Sequence, residues 1–309
     1  MVLFINPRAA GGTAQKKWKA IEAEFIERYR PSRIHIPEGI SDLRDTLRDA
    51  FQRGETDFVA AGGDGTVNAL LNCVFCEIEP KDVSRTRIGA IGLGSSNDFH
   101  KPFLREQFIG GVPCKVNFQD SYLRDVGCVS FGNDGENIQR YFLANASCGV
   151  TAEANRSFND PSFALSVLKR ASTRAAIFYA AILTILRYRN FECSLRPGRS
   201  ALHPTLLTNL AIMKNPHVSG SLLYDTPVAP NDGVFAINLS ENMSKVELLR
   251  LLYSLSQGRF THLRHTRSWS EVSTSISSSE RFAIEYDGEI VCAQSADFTV
   301  LHKSIRVCP

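Results

Sequence analysis

Two glycine-rich turns hold the residues best suited to chemistry. Gly62-Gly63-Asp64-Gly65-Thr66 follows the apolar run Asp57 to Ala61 and precedes the helical periodicity of Thr66 to Cys76. Three glycines let backbone N–H groups approach a phosphate closely, and a helix opening at Thr66 adds the positive end of its dipole. A plain strand-to-helix turn would need fewer glycines. The carboxylate beside an anion site points to magnesium, which would offset the repulsion. The second turn, Gly92-Leu93-Gly94-Ser95-Ser96-Asn97-Asp98, also ends an apolar run, Arg87 to Ile91. Alone, its polar string reads as a helix cap. In a parallel sheet both turns open at the same edge, which predicts that Asp98 lies near Asp64.

The elements needed to position these turns are legible nearby. Val2 to Ile5, Arg33 to Ile36, Asp57 to Ala61 and Arg87 to Ile91 read as buried strands, with helices over Ala14 to Tyr29 and Asp42 to Arg53. Strand and helix alternating at this spacing predict a doubly wound parallel α/β domain over residues 1–121. Beyond Phe118 the texture changes to short alternating runs: Tyr122 to Val126, Gln139 to Ala146, Thr208 to Met213, Val234 to Leu239, Glu271 to Ile276, Arg281 to Tyr286, Phe298 to Leu301 and Ser304 to Val307. These predict a β-rich domain over 122–309, interrupted by helices near Phe163 to Arg189 and Lys245 to Gln257. The strands near 298–309 are candidates to pack back on the first domain, and two domains invite an active-site cleft between them.

Composition narrows the function classes. The 309 residues are 43% hydrophobic and 22% charged, which is globular usage. Lys and Arg total 35 against 32 acids, so no basic stripe suits a nucleic-acid backbone. Eight dispersed cysteines in a chain this long read as reduced thiols and a cytoplasmic protein, with Cys73 and Cys76 one apolar helix face rather than half a zinc site. His262 and His265 lack a third ligand, and no Gly-x-Ser-x-Gly elbow or Walker loop occurs. The run Ala175 to Leu186 is too short to span a bilayer. Flanked by Lys169, Arg170, Arg174, Arg187 and Arg189, it reads as a buried helix or as one resting on an anionic membrane surface.

Taken in order, Ile5-Asn6-Pro7-Arg8-Ala9-Ala10-Gly11-Gly12, the Gly-Gly-Asp-Gly-Thr-Val-Asn string, Gly94-Ser95-Ser96-Asn97-Asp98-Phe99, Asp125-Val126-Gly127, Asn231-Asp232-Gly233 and Asp287-Gly288-Glu289 resemble the diacylglycerol kinase catalytic-domain family of lipid kinases. The resemblance covers nearly the whole chain. It implies ATP-dependent phosphorylation of a lipid hydroxyl, with Mg2+, by an α/β nucleotide domain joined to a sandwich-like β domain. It implies that Asn6, Pro7, Arg8, Ala9 and Ala10 lie along the nucleotide and that Gly62, Gly63, Asp64, Gly65, Thr66, Val67, Asn68 and Ala69 wrap its phosphates, joined by Ser95, Asn97 and Asp98. Asp64, Asp98 and Asp125 would serve the metal. Asp232 would hold a structural magnesium with the carbonyls of Ala229 and Val234.

The Asp287 turn would supply the general base. Both Asp287 and Glu289 are candidates, and the longer reach of Glu289 favours it. The chain departs from the family pattern where Gly92-Leu93-Gly94-Ser95 replaces Pro-x-Gly-Thr and where Pro37 replaces a threonine. An NAD kinase-like activity and a weak nucleotide-binding regulator are the rival readings, and a dimer is left open.

Overall fold

Four of the apolar runs form parallel strands: β1 (Val2–Ile5), β2 (Arg33–His35), β3 (Asp57–Gly62) and β4 (Arg87–Gly92). In this computed structural model, which describes residues 1–133, 136–159 and 173–309, they lie in the order β2-β1-β3-β4. A short hairpin of β5 (Phe108–Ile109) and β6 (Val112–Lys115) follows, with β6 antiparallel to β4. Helix α1 (Thr13–Tyr29) buries Ala14, Trp18, Ile21 and Phe25, spaced four, three and four apart, which makes one stripe. That stripe packs on Leu3, Ile5, Val59 and Ala61. Helix α2 (Ile40–Gln52) buries Leu43, Leu47 and Ala50, and α3 (Asp64–Glu77) buries Val67, Leu70, Leu71 and Val74.

From β1 the chain steps to β2 on one side, then crosses to β3 on the other. The strand order therefore reverses between β1 and β3, and the carboxyl ends of strands at such a reversal are where open α/β sheets bind ligands. Asn6 follows β1 and Gly63 follows β3.

This α/β unit comprises Met1–Asp125 and Lys303–Pro309. Its second segment lies along β4, with Arg306 and Val307 parallel to Arg87 and Ile88, and the Cys308 N–H donates to the Ile88 carbonyl at 2.9 Å. The other unit, Val126–His302, is mostly antiparallel β. Its strands are β7 (Tyr122–Asn133), β8 (Glu136–Phe142), β9 (Asn145–Gly149), β10 (Phe191–Pro197), β11 (His203–Met213), β12 (His217–Val218), β13 (Leu222–Leu223), β14 (Phe235–Glu241), β15 (Thr266–Glu271), β16 (Ser273–Tyr286) and β17 (Glu289–Val307), of which β7 begins and β17 ends in the α/β unit. The order β15-β14-β11-β10-β16-β17 runs through it, and β9 pairs with both β11 and β16.

Phe142 stacks on Phe235 at 5.7 Å in its core. Gly127 is required there, since a Cβ would stand 2.2 Å from the Phe142 ring. The helix Lys245–Ser256, fixed by a Ser244/Glu247 capping box, buries Leu248, Leu251 and Leu255 beside Tyr224 and Phe260.

Several sequence expectations are corrected. Glu271 to Ile276 and Arg281 to Tyr286 are not two strands: residues 273–286 form the single strand β16, which pairs with β17 on both sides of a bulge between Ser277 and Phe282. Gln139 to Ala146 is not one strand, because the Leu143 and Ala144 N–H groups leave the ladder for the carboxylate of Asp287. The helix Val150–Asn159 was not expected. The expected long helix is described from Thr173 to Arg187. Lys169 and Arg170 lie outside the described residues.

Candidate active site

The two glycine turns meet within the α/β unit. The Leu93 and Gly94 N–H groups donate to the Gly62 carbonyl at 2.8 and 3.0 Å. A Cβ on Gly94 would stand 2.5 Å from the Gly63 Cα, so only glycine permits this backbone approach. Helix α3 begins at Asp64 rather than at Thr66. The first turn of a helix presents unsatisfied N–H groups, and an acid there is favoured by the dipole. Asp64 does more than complement that dipole, because its Oδ1 accepts the Phe99 N–H at 2.9 Å and ties the first turn to the second. Asn97, left-handed at φ 50°, closes the second turn by donating from Nδ2 to the Gly92 and Gly94 carbonyls. Ser95 is exposed on this turn.

The end of β1 joins the same cluster. The Asn6 N–H donates to the Ala61 carbonyl at 2.8 Å, and the Asn6 side chain donates from Nδ2 to the Thr66 hydroxyl at 3.1 Å. The Arg8 N–H bonds back to Asn6 Oδ1, and Ala10, Gly11 and Gly12 are all left-handed before α1 begins. No acid occupies the first turn of α1. Pro7, Ala9 and Ala10 are half-buried and Arg8 is exposed. Of the expected phosphate-wrapping residues, Gly63, Asp64, Gly65, Thr66 and Ala69 are partly accessible, whereas Gly62, Val67 and Asn68 are buried. Asn68 acts locally, accepting from the Asn72 side chain.

Four basic residues that sequence spacing did not reveal support these turns. Lys17 of α1 donates from Nζ to the Leu93 and Gly94 carbonyls at 3.2 and 2.8 Å, and burial lowers its pKa. The cations of Lys115 and Arg124 lie 5.5 and 5.6 Å from the Phe99 ring centre. Burial, aided by Arg124, pulls Lys115 down to about 8. Lys101 pairs with Asp98 Oδ1 at 2.7 Å, both side chains nearly buried. His100 beside them is buried and held neutral, its pKa lowered to about 3 by desolvation.

The expected metal carboxylates are engaged by the chain itself. Asp98 is half of the Lys101 ion pair, and Asp125, fully buried, accepts the Lys303 N–H on Oδ1 at 2.8 Å. Among the described residues no cluster of three or more His, Cys, Asp or Glu could hold a metal. A magnesium ion that arrives on nucleotide phosphates needs only one or two protein carboxylates. Asp64, at the mouth of the glycine turns, suits that part.

In the β unit, Tyr286 pairs directly with Glu289, leaving Asp287 (φ 46°) and Gly288 (φ 93°) as a two-residue turn. Asp287 is buried, and its carboxylate accepts the N–H groups of Leu143, Ala144 and Asn145 at 2.7, 2.9 and 3.1 Å. Glu289 is exposed at the start of β17. Glu285, which sequence reading passed over, is buried and accepts from Ser147 Oγ and the Gly288 N–H at 2.8 and 2.7 Å. Asp232 meets Lys214 Nζ at 2.7 Å, and Ala229 is half-buried. A cavity of about 520 Å³ in this unit has Leu183, Tyr188, Phe191 and Phe282 among its lining, with Arg156 and Arg281.

Residues 1–115 match the diacylglycerol kinase catalytic domain, and residues 144–309 match the YegS C-terminal NAD kinase beta sandwich-like domain. The chain belongs to the diacylglycerol kinase catalytic-domain family. A diacylglycerol kinase of Bacillus subtilis (strain 168) is 21% identical over 307 residues, 99% of this chain and 94% of that protein. One from Staphylococcus haemolyticus is 25% identical over 262 residues, 84% and 72% of the two. A crystal structure described as a diacylglycerol kinase from Bacillus anthracis str. Sterne shares the fold at a TM-score of 0.67 and 14% identity, covering 99% of this chain and 95% of that one. Another from that source reaches 0.74 at 16% identity, covering 99% and 94%. Membership makes this a kinase-family chain of two domains, an α/β catalytic domain and a β sandwich-like one, with ATP the phosphate donor that such a family uses.

Proposed function

We propose that the chain transfers the γ-phosphoryl group of ATP to the hydroxyl of diacylglycerol or a related long-chain lipid alcohol. The observation that carries the reading is the junction of the two glycine turns, where Gly63 and Gly94 bring backbone together at the carboxyl ends of β3 and β4, next to the order reversal between β1 and β3. Phosphoryl transfer asks for positioned phosphates, neutralised charge and an acceptor for the hydroxyl proton. The turns after β1, β3 and β4 offer N–H groups to the phosphates, with Asn6, Thr66 and Ser95 as polar neighbours. Magnesium, when bound with the nucleotide, screens the phosphate oxygens. Asp64 is the carboxylate best placed to orient that ion, and Lys17 fixes the turn opposite it.

Glu289 is the proposed proton acceptor. Both oxygens of Asp287 are committed to backbone donors, so Asp287 shapes the turn while the exposed Glu289 remains for the substrate. The lined cavity of the β unit is of a size that takes an acyl chain.

A peripheral contact with an anionic membrane completes the reading. Tyr179, Ile182 and Leu186 form an exposed stripe on the Thr173–Arg187 helix, and Val246, Leu249 and Tyr253 form another on Lys245–Ser256. Arg187, Arg189 and Arg250 are exposed beside them, an apolar face with a cationic border. No helix among the described residues is long and apolar enough to cross a membrane.

The test is transfer of radiolabelled phosphate from ATP over a panel of diacylglycerol, sphingosine, ceramide and NAD, with the lipids in mixed micelles. Labelled phosphatidic acid or a related lipid phosphate is expected. Labelled NADP with no lipid product would overturn the acceptor, and no product at all would leave a nucleotide-binding regulator.

A further inference from the structure

Lys214 leaves β11 and turns its side chain entirely into the β unit, where it is 0% exposed. A buried ammonium is tolerated only with close oxygen partners. Asp232 Oδ1 lies 2.7 Å from Nζ and the Val234 carbonyl 2.8 Å. Asp232 Oδ1 also accepts the Val234 N–H at 3.2 Å, while Gly233 between them is left-handed at φ 81°. These are two of the three oxygen donors that the family resemblance assigns to a structural divalent cation. Magnesium would need those oxygens at about 2.0–2.1 Å within an octahedral shell. The ammonium already occupies that volume, so the residues present do not fit a metal there.

We propose that Lys214 is a tethered internal cation that replaces the divalent ion and makes the Asp232 loop independent of metal. The contacts connect the loop to the base-bearing turn. The Lys214 N–H donates to the Ala144 carbonyl at 2.8 Å, and the Ala144 N–H donates to Asp287 Oδ1 at 2.9 Å. The Asp287 N–H in turn reaches the Asn145 carbonyl. The chain at Lys214 thus ties the Asp232 loop, through its side chain, and the hairpin that starts β17, through its backbone, to one position. Only the comparison with a metal rests on the family reading; the contacts stand without it.

The test uses the full chain, treated with EDTA, without nucleotide or lipid, so that it is separate from the kinase assay. Thermal melting is recorded with no added cation and with millimolar MgCl2 or CaCl2. The unaltered chain is expected to melt at the same temperature in all three. Lys214→Ala is expected to melt lower and to recover part of the loss in MgCl2 or CaCl2, and the Lys214→Ala/Asp232→Asn double variant to recover none. If Lys214→Ala does not fold, Asp232→Asn alone serves: it should melt lower than the unaltered chain and ignore both salts. The proposal is overturned if the unaltered chain gains thermal stability from MgCl2 or CaCl2 and Asp232→Asn abolishes the gain, or if a folded Lys214→Ala responds to neither ion.

Discussion

Asp287 and Glu289 stand two residues apart yet belong to different problems. Removing Asp287 leaves three buried N–H groups without an acceptor, so Asp287→Ala should cost at least about 2 kcal/mol, read by urea denaturation. Glu289→Gln removes nothing the fold uses. Turnover should fall about 10²–10⁴-fold at unchanged melting temperature and nucleotide affinity. Asp64→Asn is a cleaner cut still, because the amide keeps an acceptor for the Phe99 N–H while discarding the charge. Most transfer activity should disappear with the loop intact, measured by labelled-phosphate transfer beside circular dichroism.

Lys115 adds a pH signature. Its folded pKa of about 8 lies below the ordinary 10.5. Between those values the unfolded chain holds a proton the folded chain has lost, so stability rises with pH across that window. Lys115→Met should flatten the rise in denaturation curves taken from pH 8 to 10.5. His100 acts in acid by the same logic: its lowered pKa makes stability fall as pH drops below about 6.5.

At the scale of elements, the turns act through backbone proximity. Gly94→Ala should strip ATP binding, measured by calorimetry, since its Cβ would collide with the Gly63 backbone and not with a flexible side chain. The exposed stripes make a separate expectation. Leu186→Asp should reduce sedimentation with anionic vesicles, and added salt should weaken the binding of the unaltered chain, each basic residue near such a surface contributing about 1 kcal/mol. Equal sedimentation with neutral and anionic vesicles would remove the electrostatic part.

Strands β1, β3 and β4 were legible because each is an unbroken apolar run punctuated by glycine or Asn-Pro. The Asp-Gly hairpin was legible because its turn chemistry is local. Lys17, which reaches carbonyls 76 and 77 residues away, was not. Nor was the anchoring part played by Asp287, a candidate base in the sequence whose N–H partners lie more than 140 residues back. Spacing along a chain reports neighbours on one helix or strand, and these contacts have no spacing to read. Lys214 was hidden for a related reason: Asn-Asp-Gly looks the same whether its carboxylate faces a metal or an ammonium.

For the whole molecule, the α/β unit is discontinuous in sequence. The chain leaves it after Asp125 and returns at Lys303, and the Lys303 N–H bonds the very aspartate where it left, across 178 residues. Arg306 and Val307 then occupy the edge of β4, and Cys308 is fully buried. Removing residues 303–309 should destabilise the α/β unit, a loss visible as faster proteolysis near β4. During synthesis this arrangement imposes an order. When β4 leaves the ribosome its outer edge has no Arg306–Val307 partner, and it must wait for roughly ten to forty seconds of translation before one emerges. Until then Arg87 and Ile88 at the start of β4 present an unpaired edge beside the Ala90–Ile91 stretch that β6 covers, exposed to pairing with other nascent chains. The unit whose strands are made first is therefore the one whose folding finishes last.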